Sequence, residues 1–271
     1  MIDRGVITME VATQTFNRFV NEMAPHMPVV VFPRGTTAAD IRKSKPTLFL
    51  AILSAGSGSN HPEIQRILTK EVMQIYANKI ICSGEKTLEL VQSLLISTLW
   101  YWPPDHFEEL KFYQLIHLAA VMAIDLNICK NKSKTNRMTA VGLWRDLTWR
   151  KNRYPDPEAL ECRRVWLICY FLCCSASMGL RRQNLVRWTP YMAECIEVLE
   201  NSPEAATSDK FLCQWVRSQK IAEDVGTQFS MDDSCAKISI SDTKVQFALK
   251  GFERDLQLWS EKVPEDIQTS E

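Results

Sequence analysis

The sequence predicts an all-α protein, an irregular multi-helix array of about nine or ten helices around a buried central helix. Three observations predict it. Apolar residues recur at steps of three and four along most of the 271 residues, the spacing of one helix face. No stretch shows the sustained apolar–polar alternation of paired strands, and no repeat of fixed period is present. One run, Val165 to Leu180, is almost wholly apolar and sits between two arginine pairs, Arg163-Arg164 and Arg181-Arg182. A membrane span needs about 20 mostly apolar residues. This run is shorter, is diluted by Ser175, Ser177 and Gly179, and carries the same charge at both ends. A helix buried on all sides fits it better.

The elements follow in order. Residues 8–23 form a helix with Val11 or Ala12, Phe16, Phe19 or Val20 and Met23 on one face. Pro25, Pro28 and Pro33 then hold the chain extended through Val29-Val30-Val31-Phe32, a run that would be a short strand if a partner were visible. Thr37-Ala-Ala-Asp40 is a capping box for a short helix to about Ser44. Pro46 suits the first turn of a helix that Gly56-Ser-Gly-Ser-Asn60 ends. Pro62 opens a longer one, striped by Ile64, Ile67 or Leu68, Val72, Ile75 or Tyr76, and Lys79 or Ile80. Leu88, Val91, Leu95, Thr98 or Leu99, and Trp102 stripe the next, which Pro103-Pro104 stops. Residues 107–128 place Leu110, Tyr113, His117, Val121, Ile124 and Ile128 on one face. A lone histidine on such a stripe is a core residue with one hydrogen bond.

From Cys129 to about Ala140 the composition turns basic and polar, which reads as a solvated loop. Leu143 to Trp149 is a short helix, and Tyr154-Pro-Asp-Pro157 caps the entry to the central helix. Thr189-Pro190 opens a helix to about Asn201, with Met192, Cys195 or Ile196, and Leu199 inward. After a polar loop at 202–208, Leu212, Trp215 or Val216, Gln219 and Val225 stripe another. Ser241-Asp242 caps a last helix with Val245, Ala248, Phe252, Leu256 and Trp259 on one side. Residues 1–264 make one helical domain, expected to be incomplete at its C-terminal side, and 265–271 a polar tail.

Composition narrows the function. Lys+Arg and Asp+Glu are both 32, so the body as a whole has no basic surplus for nucleic acid. Nine cysteines without regular spacing, and an N-terminus without a secretory h-region, predict a reducing compartment, cytosolic or nuclear. Cys162, Cys169, Cys173 and Cys174 form no Cys-x-x-Cys pair, so they read as core thiols rather than zinc ligands. No Gly-x-Gly-x-x-Gly, P-loop or Gly-x-Ser-x-Gly is present, and no catalytic, cofactor-binding or metal residue is assigned. Ten methionines and eight tryptophans at helical spacing are core, although they could line an adaptable apolar pocket.

Several segments, taken in order, resemble the regulatory middle homology region of fungal binuclear-zinc-cluster (six-cysteine) transcription factors. They are Lys45-Pro-Thr-Leu-Phe-Leu-Ala-Ile-Leu-Ser-Ala55, Leu88-Glu-Leu-Val-Gln-Ser-Leu-Leu-Ile96 with Trp100-Tyr-Trp-Pro-Pro104, and Leu110-Lys-Phe-Tyr-Gln-Leu-Ile-His-Leu-Ala119. Glu161-Cys-Arg-Arg-Val-Trp166, Met178-Gly-Leu-Arg-Arg182, Ser208-Asp-Lys210 and Gly251-Phe-Glu-Arg-Asp-Leu-Gln-Leu-Trp259 continue the series. The resemblance covers nearly the whole chain. It implies a nuclear regulator, not an enzyme, whose helical region controls transcription and in some members responds to a small molecule. DNA and zinc are then bound by a six-cysteine module, and dimers form through a coiled coil. Arg163, Arg164, Arg181 and Arg182 would make regulatory or structural contacts.

Three departures stand out. The sequence has no Cys-x2-Cys-x6-Cys module, so zinc and DNA are carried onto no residue here and DNA is reached only indirectly or through a missing module. Gln183 stands where the family commonly has proline. The family region also continues with further helices after the Trp-x-x-x-x-Pro that Trp259 and Pro264 resemble. The expected partners are the transcription machinery or another regulator, a second copy or relative in a dimer, and a small-molecule effector, with no membrane. The alternative is a stand-alone helical protein that binds a small apolar ligand. An incomplete array leaves an apolar face exposed, so the isolated chain is expected to associate.

Overall fold

Prolines and side-chain caps decide where most of the helices begin. The structure, a computed structural model, describes residues 1–58, 61–130, 155–233, 235 and 238–264. Helix α1 (Met9–Arg18) starts where the Thr8 hydroxyl accepts from the Val11 amide, and it runs on as a π-helical turn, Phe19–Met23. The expected capping box holds α2 (Ala38–Ser44): the Thr37 side chain accepts from Asp40 N, and the Asp40 carboxylate accepts from Thr37 N. Pro46 and Pro62 occupy the first turns of α3 (Pro46–Ser57) and α4 (Pro62–Tyr76), where a missing N–H costs nothing. Helix α4 also ends in a π-helical stretch, Ala77–Cys82. Thr87 caps α5 (Leu88–Leu99), and a 3₁₀ turn, Phe107–Glu109, precedes α6 (Phe112–Asp125). Then come α7 (Leu160–Gly179), α8 (Pro190–Asn201) and α9 (Thr207–Gln228). Asp242 caps α10 (Thr243–Lys262) by accepting from Lys244 N. Among the described residues all regular structure is helical, as the periodicity predicts.

The helices form two joined groups. In the first, α3 packs against α1, α2, α4 and α5. In the second, α7 packs against α8 and α9, and α10 lies on α9. The joint is α7 against α6 and α5. The continuous apolar run is therefore the central helix, with Cys162 through Tyr170, Cys173, Cys174 and Ser177 all buried.

One local expectation is corrected and two open readings are resolved. The valine run is not a strand: Val29 and Val30 are buried as irregular chain in the core. On α6 the expected stripe is the outer one, with Val121 45 % and Ile124 41 % exposed, although Ile128 beyond the helix is buried. The buried face is Leu115, Ile116, Ala119, Ala120, Met122 and Ala123. Helix α6 is apolar nearly all round, so spacing alone cannot choose its face. The small alanines, weak as hydrophobic signals, are the residues that let a neighbouring helix come close. In α9 the choice between Trp215 and Val216 falls on Val216, and Trp215 is exposed. Residues 131–140 of the expected basic loop, the expected helix Leu143–Trp149, Tyr154 and the 265–271 tail lie outside the described residues.

The close approach of α1 and α3 makes one glycine decisive. A Cβ on Gly56 would stand 2.8 Å from Thr15 Cγ2 and 3.1 Å from the Thr15 carbonyl oxygen. Alanine normally favours a helix over glycine by about 1 kcal/mol. Here the clash with the stiff Thr15 methyl, backed by its carbonyl, reverses the sign, and Gly56→Ala is expected to destabilise by about 1–3 kcal/mol. Gly226 on α9 meets only the Met178 Cε at 3.9 Å. Gly226→Ala is therefore expected to stabilise by about 0.5–1 kcal/mol. Urea unfolding of the two variants tests the opposite signs.

Candidate functional site

The first turn of α7 carries three charged side chains, and each reaches a different neighbour. Glu161 accepts from Lys45 Nζ at 2.8 Å, at the junction of α2 and α3, and from Gln92 Nε2 on α5 at 2.7 Å. Arg163 donates to Glu194 Oε1 on α8 at 3.3 Å and to the Glu158 carbonyl at 3.2 Å, with its guanidinium 5.5 Å from the Tyr191 ring centre. Arg164 makes a two-pronged ion pair with Asp209 on α9, Nε to Oδ1 at 2.6 Å and Nη2 to Oδ2 at 2.8 Å. Asp209 Oδ2 also accepts from the Ala206 amide at 2.8 Å, which caps α9. One helical turn thus ties α7 to α5, α8 and α9.

The far end of α7 carries a second set of ties. The Tyr170 hydroxyl donates to Glu223 on α9 at 2.8 Å. The same carboxylate accepts from Asn184 Nδ2 at 3.2 Å and from the Trp188 amide at 3.3 Å, so it pins the 180–189 loop against α7. Ser175 donates to Gln219 at 2.7 Å.

The two arginine pairs therefore have different places. Arg163 and Arg164 are buried, 5 % and 6 % exposed. Arg181 and Arg182 are exposed at the end of the helix. Arg181 takes the left-handed conformation, φ 50, that reverses the chain, and the Arg182 amide closes the turn onto the Ser177 carbonyl. The Arg182 guanidinium lies 4.6 Å from the Tyr113 ring centre on α6. The structure does not bring the two pairs together.

Electrostatics follow the same division. Burial opposes ionisation of Glu161, but Lys45 and the Gln92 amide outweigh it and hold the carboxyl below its usual 4.5. A carboxyl with a lowered folded pKa binds fewer protons folded than unfolded. Its stabilisation is complete above the unfolded value and is lost as pH falls through the folded one. Stability is expected to drop between about pH 5 and pH 3, and the drop is expected to be smaller in Glu161→Gln, measured by urea midpoints across that range.

The four cysteines of the central run are core thiols, as their spacing predicts, whereas Cys82 and Cys235 are exposed. Cys162, Cys169, Cys173, Cys174, Cys195 and Cys213 are buried. Burial pushes Cys173 up to about 12 and Cys195 up to about 11, so these thiols stay protonated at neutral pH and are poor nucleophiles. His117 is half-buried, with Nδ1 2.8 Å from the Tyr113 carbonyl and its ring 4.1 Å from that of Tyr113. Among the described residues no three His, Cys, Asp or Glu side chains gather to hold a metal ion, and no helix is long and apolar enough to cross a membrane. Met73, Trp100 and Trp102 do line a cleft with Ser54, Thr69 and Ser97. Its cavity volume of about 10 Å³ holds one water at most.

Asp209, Glu194 and Glu223 were not singled out by sequence reasoning as site residues. They lie 45, 31 and 53 residues from their partners on α7, so no local spacing marks them. The signal that existed was indirect. Lys45, Gln92, Glu161, Arg163, Arg164 and Asp209 all fall inside the segments that carry the family resemblance.

That coincidence agrees with the comparison to known proteins. The family model described as the WAR1 C-terminal domain matches residues 1–269. This chain belongs to the WAR1 C-terminal domain family. Transcription factor pbcR of Emericella nidulans is 38 % identical over 252 residues, covering 92 % of this chain and 34 % of the relative. Transcription factor himD of Aspergillus japonicus is 29 % identical, over 82 % of this chain and 36 % of the relative. Transcriptional regulator WAR1 of Candida albicans is 27 % identical, over 75 % and 21 %. The chain thus spans about a third of the first two relatives. The expected kinship with fungal zinc-cluster transcription factors holds. No solved structure matches the sequence. Within this WAR1 C-terminal domain the ion pairs of α7 join its first turn to α8 and α9.

Proposed function

We propose that this chain is the regulatory and interaction region of a fungal transcription factor and that it acts in the nucleus. The observation that carries the reading is the match of the WAR1 C-terminal domain over residues 1–269, with relatives named as transcription factors. DNA and zinc are assigned to a zinc-cluster module that this sequence does not contain. The region's own work is to transmit state. The first turn of α7 couples α5, α8 and α9, so a partner or effector that displaces one of them works against buried ion pairs and shifts the others. Arg163 and Arg164 hold that coupling, while Arg181 and Arg182, at the other end of α7, offer a separate surface contact. Its partners are the transcription machinery or another regulator, and no catalytic step is assigned to it.

The test is a fusion of the chain to a heterologous DNA-binding module, read on a reporter carrying that module's site. Reporter output different from the module alone, and altered again by Arg164→Met, is the expected result. Output equal to the module alone in every condition tried would reject the regulatory reading.

A further inference from the structure

The turn between α7 and α8 gathers positive charge that its surroundings do not answer. Arg181, Arg182 and Arg187 are all exposed there. Among the described residues no carboxylate lies within ion-pair reach of these three, whereas Arg163, Arg164 and Arg217 each hold one. The acids on the adjacent part of α9 are already engaged. Glu223 accepts from Tyr170, Asn184 and the Trp188 amide, and Asp224 pairs with Lys220. The Tyr113 ring steadies Arg182 but supplies no counter-ion. Two leucines stand among the arginines, Leu180 41 % and Leu185 56 % exposed.

The turn is held in one shape from within. The Arg182 amide donates to the Ser177 carbonyl at 2.8 Å, and Asn184 Oδ1 accepts from the Val186 amide at 3.1 Å. Val186 is buried, and the Trp188 ring meets Tyr170 edge-on with centres 5.4 Å apart. What is left facing water is Leu180, Arg181, Arg182, Leu185 and Arg187. A surface ordered in advance loses little entropy on binding. The helix dipole favours a cation at this end of α7, but it fades within a turn and accounts for neither Arg187 nor the leucines. We infer that the turn from Leu180 to Arg187 docks an acidic peptide segment whose carboxylates alternate with apolar side chains. Guanidinium forks take carboxylates through paired N–H bonds, and the leucines take the apolar side chains. A nucleic-acid strand fits less well. The chain carries 32 acids against 32 bases, so phosphates beyond the turn meet no basic surplus, and the leucines would have no part. The inference rests on the regulatory reading only for the setting of this partner, another protein of transcription control.

Fluorescence anisotropy of the full 271-residue chain with a labelled peptide of alternating Glu and Leu is the test. Saturable binding that weakens as salt rises is expected. Arg181→Glu and Arg187→Glu are each expected to raise the dissociation constant about 5- to 10-fold, and Leu185→Ser at least about 3-fold. Lys43→Glu, the same charge change on the exposed side of α2, is expected to leave it unchanged. Arg181→Gly separates binding from folding. Arg181 has φ 50, where glycine is unstrained, so the urea midpoint should hold or rise while binding weakens. Absence of binding would overturn the inference, as would binding unmoved by the arginine variants. So would equal binding of a peptide with Ser in place of Leu, or tighter binding of duplex DNA. The reporter experiment does not use this peptide, so failure of the docking surface and failure of the regulatory reading are told apart.

Discussion

Asp209→Ala is expected to destabilise the protein by about 3–5 kcal/mol, because it leaves the Arg164 guanidinium buried without its counter-ion. Asp209 is 0 % and Arg164 6 % exposed, so water cannot take over the lost bonds. The substitution also removes the acceptor for the Ala206 amide, a cap worth about 0.5–2 kcal/mol. The decisive comparison is the pair of apolar replacements, Arg164→Met with Asp209→Leu. Removing both charges removes the unpaired-ion penalty and leaves mainly the lost cap, so the double variant is expected to be more stable than either single. Urea unfolding of the singles and the double closes the cycle. A double variant whose loss equals the sum of the singles would show that the two side chains act independently. The same reasoning makes Arg164→Met a probe of coupling in the reporter experiment, since it releases α9 from α7.

Leu95→Ala is expected to cost about 3–5 kcal/mol, at the upper end for a leucine that leaves a cavity. Leu95 is fully buried on α5, and α5 packs against α3, α6 and α7. Helix α5 packs on helices of both groups, so loosening it is felt by both. The check is calorimetry alongside urea unfolding. The expected outcome is one cooperative transition, shifted down, because α5 packs on helices of both groups. Separate transitions for the two groups would show that they unfold independently and that the joint is weaker than its packing implies.

Much of the helix pattern was legible because it rests on local rules. Pro46, Pro62 and Pro190 mark first turns, Thr37 with Asp40 marks a capping box, and Asp242 marks the start of the last helix. The central helix was legible from its unbroken apolar run. The α6 stripe was not, since a helix apolar on every side gives periodicity nothing to choose between. The candidate site was half legible. The two arginine pairs are visible as sequence, yet identical dipeptides ended in opposite environments. Arg163 and Arg164 point from the first turn into the contact of α7 with α8 and α9. Arg181 and Arg182 sit beyond the last turn, where the chain reverses into solvent.

The sequence by itself therefore determined the helical class, the helix starts, the burial of α7 and its thiols, and the kinship with fungal regulators. Caps, periodicity and residue order are properties of neighbours along the chain. The tertiary structure alone decided which acid Arg163 and Arg164 meet and which face of α6 is buried. Those choices depend on residues dozens of positions apart. They are set by which helices come to lie side by side, and no local spacing encodes that.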